Sequence, residues 1–303
     1  MAKIVIIGNS AAGFSCLEVL IREAPGNEVA VITKEEYPAY RKDLLLDYLA
    51  GNVEDKDIFL CSEDFYKRKN VNFYKNSELD RLDIKKQVVV LKNKTRINYD
   101  YLIITSGEEP NIPDIPGKNK DGVLGVYSLT DIKRIKEKLI VTDTVCIIGK
   151  LKFSVRLAEV IASKGKEVKI ITEEAGEFAI EIEKTEVLKG VFPQELIGEG
   201  QLQALKLNNG KVIGTSLVLF CGNYIASADF LKEAALETKE GYILTDEAMR
   251  TNLENVFACG TIAKSRSLPE KEKLWKDSVD EGRLAAESLI KLIEKGELSC
   301  QKS

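Results

Sequence analysis

The sequence predicts an α/β fold, and the evidence is a strand–turn–helix pattern that occurs twice along the chain. Four consecutive β-forming residues, Ile4–Ile7, are followed by a break at Gly8 and by apolar residues at helical spacing over Phe14–Arg22. The same order returns at Val145–Gly149, whose glycine follows Gly8 by 141 residues (149 − 8). A strand, a tight glycine turn and a helix open a dinucleotide-binding βαβ unit. The sequence therefore predicts two Rossmann-like, three-layer domains.

Length and composition are those of a globular protein. A chain of 303 residues is long enough for about two domains. Its 44% hydrophobic and 30% charged residues are typical of globular proteins. No apolar run approaches the roughly 18 residues of a transmembrane helix, and the first strand begins near residue 3, so we expect neither a membrane span nor a signal peptide. The net charge of −4 argues against nucleic acid as the main partner.

The cysteine and histidine content restricts the chemistry. The sequence contains no histidine, which excludes a Ser-His-Asp triad, a histidine base and histidine metal ligands. The cysteines form no CxxC or CxxxxC pair, so they fit neither a zinc or iron–sulfur cradle nor a disulfide between neighbours. We expect a reducing cytoplasm and redox chemistry that comes from a cofactor. The six cysteines are Cys16, Cys61, Cys146, Cys221, Cys259 and Cys300.

The first glycine turn has the features of a phosphate cradle. Gly8 permits the tight turn, and the small residues Ser10 and Ala11 let a pyrophosphate approach the backbone. Gly13 lets the helix pack closely on the strand, and the helix N-terminus offers free N–H groups and a positive dipole end. Ser10 stands where the usual fingerprint has its second glycine. A turn in a parallel sheet that binds no ligand is the alternative.

The second strand of this unit is predicted at Glu28–Thr33. An acidic residue at the end of such a strand commonly binds the adenosine ribose. Here the position is Thr33, followed by Lys34 and Glu35, so we interpret Glu35 as the substitute, with a solvated turn as the alternative. The predicted later elements are strands at Val71–Tyr74, Gln87–Leu91, Tyr101–Ile104, Glu167–Thr172, Ser216–Phe220 and Tyr242–Leu244, a short helix before Gly51, a hairpin at Asn208–Gly210, and helices at Leu157–Ile161 and Trp275–Ile293.

The second glycine turn lacks the features of a cradle. Leu151 places a branched side chain where a pyrophosphate would contact the backbone. Phe153 and Ser154 remove the small-residue packing. Lys150 and Lys152 attract phosphate as point charges but cannot replace a backbone cradle. We therefore expect a degenerate nucleotide site in the second domain.

Several motifs in order resemble the FAD-dependent pyridine nucleotide-disulphide oxidoreductase family. They are the Gly8–Gly13 turn, the loop Tyr37–Leu45, the segment Tyr99–Gly107 with Pro110, and Thr251 with Val256–Thr261. The branch most similar contains NADH:rubredoxin reductases and the flavin part of nitrite reductases. The resemblance covers nearly the whole chain. It implies a glutathione-reductase-like pair of domains: an FAD-binding domain formed by residues 1–115 and 241–303, and a shortened, degenerate NAD-binding-like domain over residues 116–240.

The resemblance also implies which residues contact the cofactor, and it supplies no acid, base or nucleophile. The Gly8–Gly13 turn would bind the FAD pyrophosphate, Glu35 the ribose, and Thr261 the ribityl chain. The helix that begins near Trp275 would point its N-terminus at the flavin ring. The implied cofactor-binding residues are Gly8, Ser10, Ala11, Ala12, Gly13, Thr33, Lys34, Glu35, Lys42, Leu79, Thr105, Ser106, Gly107, Gly260, Thr261 and Trp275.

Departures from the family pattern shape the functional hypotheses. Thr261 replaces the ribityl-binding aspartate, the stretch 37–46 has no redox cysteine, and the family's C-terminal interface domain is missing from this sequence. The leading hypothesis is an FAD-binding electron-transfer flavoprotein that serves a redox partner protein, an iron–sulfur protein or a metalloenzyme. One alternative is an NAD(P)H-dependent reductase of a rubredoxin or ferredoxin, with nicotinamide bound by Lys150, Lys152 and Glu173. The other is a non-catalytic scaffold subunit.

Overall fold

The chain divides into two compact units. The computed structural model describes residues 1–174, 181–231, 234–269 and 271–300, and of residues 297–300 it describes the backbone alone. Unit 1 comprises Met1–Lys42, Phe59–Glu108 and Ala226–Ser303, and unit 2 comprises Asp43–Ile58 and Glu109–Ile225.

The described residues form the following elements. The helices are α1 (Ala11–Glu23), α2 (Leu45–Ala50), α3 (Asp55–Ile58), α4 (Asp64–Arg68), α5 (Leu129–Val141), α6 (Leu151–Ala162) and α7 (Trp275–Cys300), with 3₁₀ turns at Lys42–Leu44 and Asp229–Leu231. The strands are β1 (Lys3–Ile7), β2 (Glu28–Ile32), β3 (Val71–Tyr74), β4 (Leu79–Asp83), β5 (Val88–Leu91), β6 (Arg96–Asn98), β7 (Tyr101–Ile104), β8 (Glu108–Pro110), β9 (Val123–Gly125), β10 (Thr144–Gly149), β11 (Glu167–Thr172), β12 (Thr185–Lys189), β13 (Pro193–Ile197), β14 (Ala204–Leu207), β15 (Val212–Gly214), β16 (Leu217–Cys221), β17 (Tyr224–Ala226), β18 (Thr238–Lys239), β19 (Tyr242–Thr245), β20 (Val256–Ala258) and β21 (Ala263–Ser265).

Unit 1 is built on a five-stranded parallel sheet in the order β20-β7-β1-β2-β3. The centre of β1, Ile4–Ile7, is buried on both faces, which is why it is an uninterrupted run of β-branched residues. The chain leaves β1 through α1 to β2 on one side, and returns later to β7 and β20 on the other. Strand order therefore reverses at β1, and ligands of open α/β sheets bind outside the carboxyl ends of the strands at such a point.

One face of this sheet is covered by two helices that approach each other closely. A side chain on Gly282 in α7 would place its Cβ only 2.2 Å from the carbonyl oxygen of Ala12 in α1. The hydroxyl of Ser15 donates to the Val279 carbonyl over 2.8 Å. Phe14, Leu17 and Leu20 of α1 pack into one core with Ala285, Ala286 and Leu289 of α7. The glycine within the C-terminal helix thus allows the two helices to pack closely.

Unit 2 repeats this architecture with a parallel sheet in the order β12-β11-β10-β16-β9. Helix α5 begins with a capping box, in which Ser128 and Asp131 satisfy each other's backbone N–H groups. The hairpin predicted at Asn208–Gly210 is present, because β14 and β15 pair antiparallel and Gly210 donates to the Leu207 carbonyl over 3.0 Å. The internal repeat is therefore structural as well as sequential.

The predicted domain boundaries differ from the observed division at residues 109–115, which lie in unit 2, at residues 226–240, which lie in unit 1, and above all at the segment Asp43–Ile58. The sequence analysis assigned this segment to the first domain, whereas it belongs to unit 2. The ammonium of Lys136 in α5 lies 3.6 Å from the ring centroid of Tyr48. Lys164 donates to the Ala50 carbonyl over 3.2 Å. Contacts between residues far apart in sequence decide the assignment, and nothing in the local pattern of 43–58 signals them.

Most predicted elements are found close to their expected bounds. Strands β3, β7 and β11 have the predicted limits, while the helix predicted at Leu157–Ile161 begins earlier, at Leu151. Helix α7 begins at the predicted Trp275 but extends to Cys300 instead of Ile293. Residues 175–180 lie outside the described part of the chain, and β12 follows them.

The close contact of α7 with α1 generates a stability prediction. We expect Gly282→Ala to destabilise the protein by about 2–3 kcal/mol, because the added methyl group overlaps the Ala12 carbonyl. Gly296→Ala in the same helix is the matched control, since a Cβ there meets no atom within 4 Å, and we expect it to stabilise by about 0.5–1 kcal/mol. Urea unfolding measures both. Equal effects of the two substitutions would contradict the packing argument.

Candidate cofactor site

The predicted site residues lie in unit 1, and most of them lie on the carboxyl edge of its parallel sheet. Beyond the strand ends, four backbone N–H groups still donate to the neighbouring strand, which fixes the turns relative to one another. The donors and acceptors are Gly8 to Ile32 (2.8 Å), Thr33 to Tyr74 (2.9 Å), Thr105 to Ile7 (2.7 Å) and Cys259 to Ile104 (3.1 Å). The turns after β1, β2, β7 and β20 therefore form one continuous border.

The glycine turn after β1 is packed too tightly for side chains. Gly8 has a φ of +108°, and a Cβ there would lie 2.2 Å from the Thr105 carbonyl oxygen. A Cβ on Gly13 would lie 2.2 Å from the carbonyl oxygen of Gly8. The hydroxyl of Thr105 lies 2.9 Å from the Ile7 carbonyl oxygen and 3.2 Å from that of Gly8, and donates to them. The positions that the sequence pattern singled out are the ones where backbone touches backbone.

The N-terminus of α1 carries no side-chain cap. Ser10 is the N-cap residue with extended backbone, and its side chain makes no capping hydrogen bond. The N–H groups of Ala11, Ala12 and Gly13 have no acceptor within the helix, because the first turn of an α-helix leaves them unpaired. The first turn contains no acidic residue. These donors and the positive end of the helix dipole suit an anionic group such as a phosphate.

Asn9 holds the glycine turn through hydrogen bonds to Tyr66, a residue that the sequence analysis did not identify. The Tyr66 hydroxyl lies 2.8 Å from Nδ2 and 3.0 Å from Oδ1 of Asn9. It also accepts the backbone N–H of Ala39 over 3.1 Å. The Tyr66 ring stacks on Phe73 with 3.9 Å between centroids. Tyr66 thus ties the glycine turn to the loop after β2.

Glu35 lies at the end of β2 in a charged cluster. Its carboxylate pairs with the Lys42 ammonium over 2.8 Å and accepts the Tyr40 hydroxyl, and its N–H donates to the Thr33 hydroxyl over 3.2 Å. Burial raises the pKa of Glu35, but Lys42 and the hydrogen bonds from Lys42 and Tyr40 outweigh burial, so the net pKa lies below its ordinary value of 4.5. Two predicted residues, Glu35 and Lys42, are brought together, while the neighbouring Lys34 is exposed.

The turn after β7 contains an unusual buried hydroxyl. Among the described residues, two buried side-chain oxygens have no hydrogen-bond partner, those of Ser106 and Tyr99. Ser106 follows Thr105 on the carboxyl edge, and Gly107 next to it has a φ of +71°. A buried hydroxyl without a partner costs free energy unless a bound group satisfies it. Ser106 is therefore the residue of this turn best suited to contact a ligand.

The turn after β20 is held by an ion pair that the sequence analysis did not identify. The Lys273 ammonium lies 2.8 Å from the Glu281 carboxylate and donates to the carbonyls of Gly260 and Ala263. The same carboxylate accepts the Gly260 N–H over 2.8 Å. Within the described residues the half-buried Thr261 hydroxyl has no protein partner. The ion pair therefore fixes the backbone and leaves the threonine hydroxyl available.

The remaining predicted residues lie at more peripheral points of unit 1. Leu79 begins β4, in the antiparallel sheet β4-β5-β6. Trp275 begins α7 as predicted, and the Arg41 guanidinium lies 5.6 Å from its ring centroid. The Leu274 N–H donates to the Asp277 carboxylate over 2.8 Å. A carboxylate thus already caps this helix terminus, which the resemblance assigned to the flavin ring.

The corresponding turn of unit 2 is filled by the chain itself. A Cβ on Gly149 would lie 1.7 Å from the Cys221 carbonyl oxygen, which matches the contact of Gly8 in unit 1. Leu151, however, is buried at the first position of α6. Its N–H donates to the Glu174 carboxylate over 3.3 Å. The helix terminus that would bind a phosphate therefore has a carboxylate of its own chain bound to it.

Aromatic packing closes the rest of this turn. A Cβ on Gly222 would lie 2.8 Å from the nearest atom of the Phe153 ring. The same ring packs edge-on to Tyr224, with 6.3 Å between the ring centroids. Ser154 is fully buried and donates to the Lys150 carbonyl over 3.0 Å. The side chains of Lys152 and Glu173 are exposed beside it. The geometry agrees with the degenerate turn expected from the sequence.

The cysteines whose side chains the structure describes are free thiols. Burial raises the pKa of Cys146 to about 12 and that of Cys221 to about 11, and it also raises the pKa of Cys16 and Cys259. Cys61 is half-buried, and the Cys300 side chain lies outside the described part. The described residues contain no cluster of three or more His, Cys, Asp or Glu residues able to hold a metal. In the same part of the chain, the helices lack the long apolar stretch that crossing a membrane requires.

The pairing of Glu35 with Lys42 generates a pH-dependent stability prediction. The folded-state pKa of Glu35 is depressed, so its contribution is complete above about pH 4.5 and is lost as the pH falls through the folded-state pKa. We expect Lys42→Gln to destabilise the protein by about 3 kcal/mol at pH 7, because the buried carboxylate loses its cation. The deficit closes below pH 4.5, where Glu35 is protonated in the variant.

Urea unfolding at a series of pH values measures this deficit. Lys75→Gln is the matched control, since Lys75 forms an exposed pair with Glu63 and exposed pairs contribute less than about 1 kcal/mol. A deficit for Lys42→Gln that does not change between pH 7 and pH 4 would contradict the electrostatic account.

Comparison with known proteins agrees with this geometry. The sequence profile of the family described as pyridine nucleotide-disulphide oxidoreductase matches residues 2–282. The chain is similar to the assimilatory nitrate reductase electron transfer subunit of Bacillus subtilis (24% identical over 277 residues, 86% of this chain and 36% of that protein). It is also similar to the NADH-rubredoxin oxidoreductase of Clostridium acetobutylicum (26% over 268 residues, 86% and 68%). The chain thus spans little more than a third of the first relative and about two thirds of the second.

Solved structures share the fold. One is putidaredoxin reductase in its covalent complex with putidaredoxin, with a TM-score of 0.85, 17% identity and coverage of 95% of this chain and 75% of that chain. Another is the water-forming NADH oxidase of Lactobacillus brevis bound to NADH, with a TM-score of 0.84, 22% identity and coverage of 96% and 70%. With a family profile that spans most of the sequence and a glycine turn of the matching kind, the chain belongs to the pyridine nucleotide-disulphide oxidoreductase family.

Proposed function

We propose that the chain binds FAD along the carboxyl edge of unit 1 and acts as a flavin-dependent oxidoreductase that passes electrons to or from a second redox protein. The observation that carries the proposal is the difference between the two glycine turns. At the turn Gly8–Gly13, α1 begins without a side-chain cap and without an acidic residue in its first turn, so its first N–H groups have no acceptor within the helix. The turn after Gly149 is filled by Leu151 and Phe153.

The residues of unit 1 fit FAD. The uncapped N-terminus of α1 suits the pyrophosphate, and the small side chains of Ser10 and Ala11 let a phosphate reach the backbone. The buried hydroxyl of Ser106 lacks a partner that a bound group would supply. Thr261 offers its hydroxyl to the ribityl chain in place of the family's aspartate. When bound, FAD supplies the capacity to take up and release electrons, while these residues bind and orient it.

The proposed electron partner is a protein that carries its own redox centre. A pyrophosphate needs bare backbone at the helix terminus, and Leu151, with its N–H bonded to Glu174, does not provide it in unit 2. Two relatives are named for rubredoxin, the Clostridium acetobutylicum protein and a Pseudomonas putida rubredoxin-NAD(+) reductase that is 25% identical. We therefore propose an iron–sulfur protein or a metalloenzyme as the partner. The protonated, unpaired cysteines support a reducing, cytoplasmic location.

A second candidate function is an NAD(P)H-dependent reductase of a rubredoxin-type acceptor. The exposed side chains of Lys150 and Lys152 beside the filled turn favour it, because two ammonium groups attract a phosphate. This function requires nicotinamide to bind without a backbone cradle. A non-catalytic scaffold, which would keep the fold without the flavin, is the third candidate.

An anaerobic titration with NADH distinguishes these functions. We expect the purified protein to be yellow, with an oxidised flavin band that dithionite bleaches and a stoichiometric amount of NADH does not, because the second turn is filled. The absorbance of the visible flavin band is the measurement. Rapid bleaching by NADH or NADPH would replace the proposal by the reductase function. A colourless protein that cannot be reconstituted with FAD would exclude both redox functions and leave the non-catalytic scaffold as the remaining candidate.

Ser106 provides a residue-level test of the FAD site. We expect Ser106→Ala to weaken FAD binding about tenfold, because one hydrogen bond to the cofactor is lost, and to leave the melting temperature of the protein unchanged. Flavin fluorescence after dilution of the holoprotein measures FAD release. Tyr99→Phe removes the other unpartnered buried hydroxyl, which lies before β7 rather than at the carboxyl edge, and it should release FAD as the wild type does. Equal FAD release by all three proteins would exclude Ser106 from the site.

A further inference from the structure

The ion pair between Lys273 and Glu281 has an arrangement that surface pairs do not have. The two side chains are only 16% and 20% exposed, and the ammonium uses its three hydrogen atoms on three acceptors, each at 2.8 Å. One acceptor is the Glu281 carboxylate, and the others are the carbonyls of Gly260 and Ala263. A buried pair in which each donor is satisfied is costly to break, because either partner alone would be left as an uncompensated charge.

This pair binds both backbone polar groups of Gly260 in the turn after β20. Glu281 accepts the N–H of Gly260, and Lys273 donates to the carbonyl of the same residue. Gly260 has a φ of +79°, and a Cβ there would lie 3.0 Å from the Cβ of Ala12. The pair therefore fixes the turn against the first residues of α1, which form the anion site. The position of Thr261 relative to that site follows from this contact.

The side chain of residue 261 alone does not orient this turn. A threonine hydroxyl offers a single, rotatable group where the family has a carboxylate, so the precision of the contact must come from the backbone that carries it. Both backbone polar groups of Gly260 are committed to the ion pair. Within the described residues, the Thr261 hydroxyl keeps no protein partner and is available to a ligand.

We propose that Lys273 and Glu281 are positioning residues of the cofactor site: by holding the Gly260–Thr261 turn against α1, they set the contact of Thr261 with the ribityl chain of FAD. The inference rests on the proposed function. Lys273 lies on the loop after β21 and Glu281 lies on α7. The inference is that this pair, and not the Thr261 side chain alone, sets the affinity for the cofactor.

The test compares FAD retention by holoproteins that differ in this pair. We expect Lys273→Met and Glu281→Gln each to increase the dissociation constant of FAD at least tenfold, measured by the rise of flavin fluorescence on dilution. The double variant should bind FAD no more weakly than the single variant with the higher dissociation constant, because both substitutions remove the same ion pair. Lys271→Met is the matched control, since Lys271 lies two residues before Lys273 on the same loop and pairs with Asp277 of α7, but is 71% exposed. It should change the constant less than twofold.

A structural role alone gives a different result. If Lys273→Met lowers the melting temperature while FAD is retained as in the wild type, the inference is overturned, and additive effects of the two substitutions on FAD retention overturn it as well. Glu281→Gln keeps an acceptor for the Gly260 N–H and the side-chain volume, so it provides the comparison should Lys273→Met fail to fold. A wild-type protein that binds no FAD would instead remove the proposed function, which is a separate outcome.

Discussion

Unit 1 depends on the contact of backbone with backbone at three glycines. Gly8 lies against the Thr105 carbonyl, Gly13 against the Gly8 carbonyl, and Gly282 against the carbonyl of Ala12, and each contact excludes a Cβ. Through these contacts, α1 packs closely against the end of β1, and α7 packs closely against α1. The N–H groups at the start of α1 are then left without partners at the border of the sheet. The packing of the core and the anion site are therefore products of the same geometry.

Unit 2 separates these two consequences. Gly149 keeps the contact with the neighbouring strand, here at the Cys221 carbonyl, and the sheet around β10 is parallel and buried as in unit 1. The positions that follow have side chains, Leu151 and Phe153, and they are used for packing. One glycine is thus sufficient for the strand order, whereas a cradle for a phosphate requires bare backbone over the next turn as well. The two units thus share the strand order and differ in how the residues after the glycine are packed.

The sequence predicts the elements that local residue patterns mark, and it does not predict the features that depend on contacts between distant residues. Strands β7 and β11 have the predicted bounds because runs of β-branched and aromatic residues between polar ends mark them locally. Helix α5 was not predicted, although its capping box, Ser128 with Asp131, is a signal that the sequence carries. The assignment of 43–58 failed because it depends on tertiary contacts such as that of Tyr48 with Lys136.

The candidate site was predictable to a similar degree. Its glycines and the residues after each strand follow from the topology, since parallel strands end at one edge of the sheet. The residues that hold these turns in place were missed. Tyr66 reaches Asn9 over 57 residues of sequence, and the partners of Lys273 are two carbonyls and a carboxylate, so no local pattern marks either residue. Polar groups that position a site are recognised by their geometry alone.

The function proposed for this chain relies on a bound redox group rather than on a nucleophilic side chain. The chain has no histidine, and burial keeps thiols such as Cys146 and Cys221 protonated. The side chains at the border of unit 1 bind and orient, and the redox capacity has to come from the group they hold. In unit 2 the helix terminus that would bind the phosphates of a nicotinamide cofactor is instead bonded to Glu174 through the N–H of Leu151. Electron transfer between proteins needs no such phosphate site, which is the physical reason for proposing a redox protein as the partner.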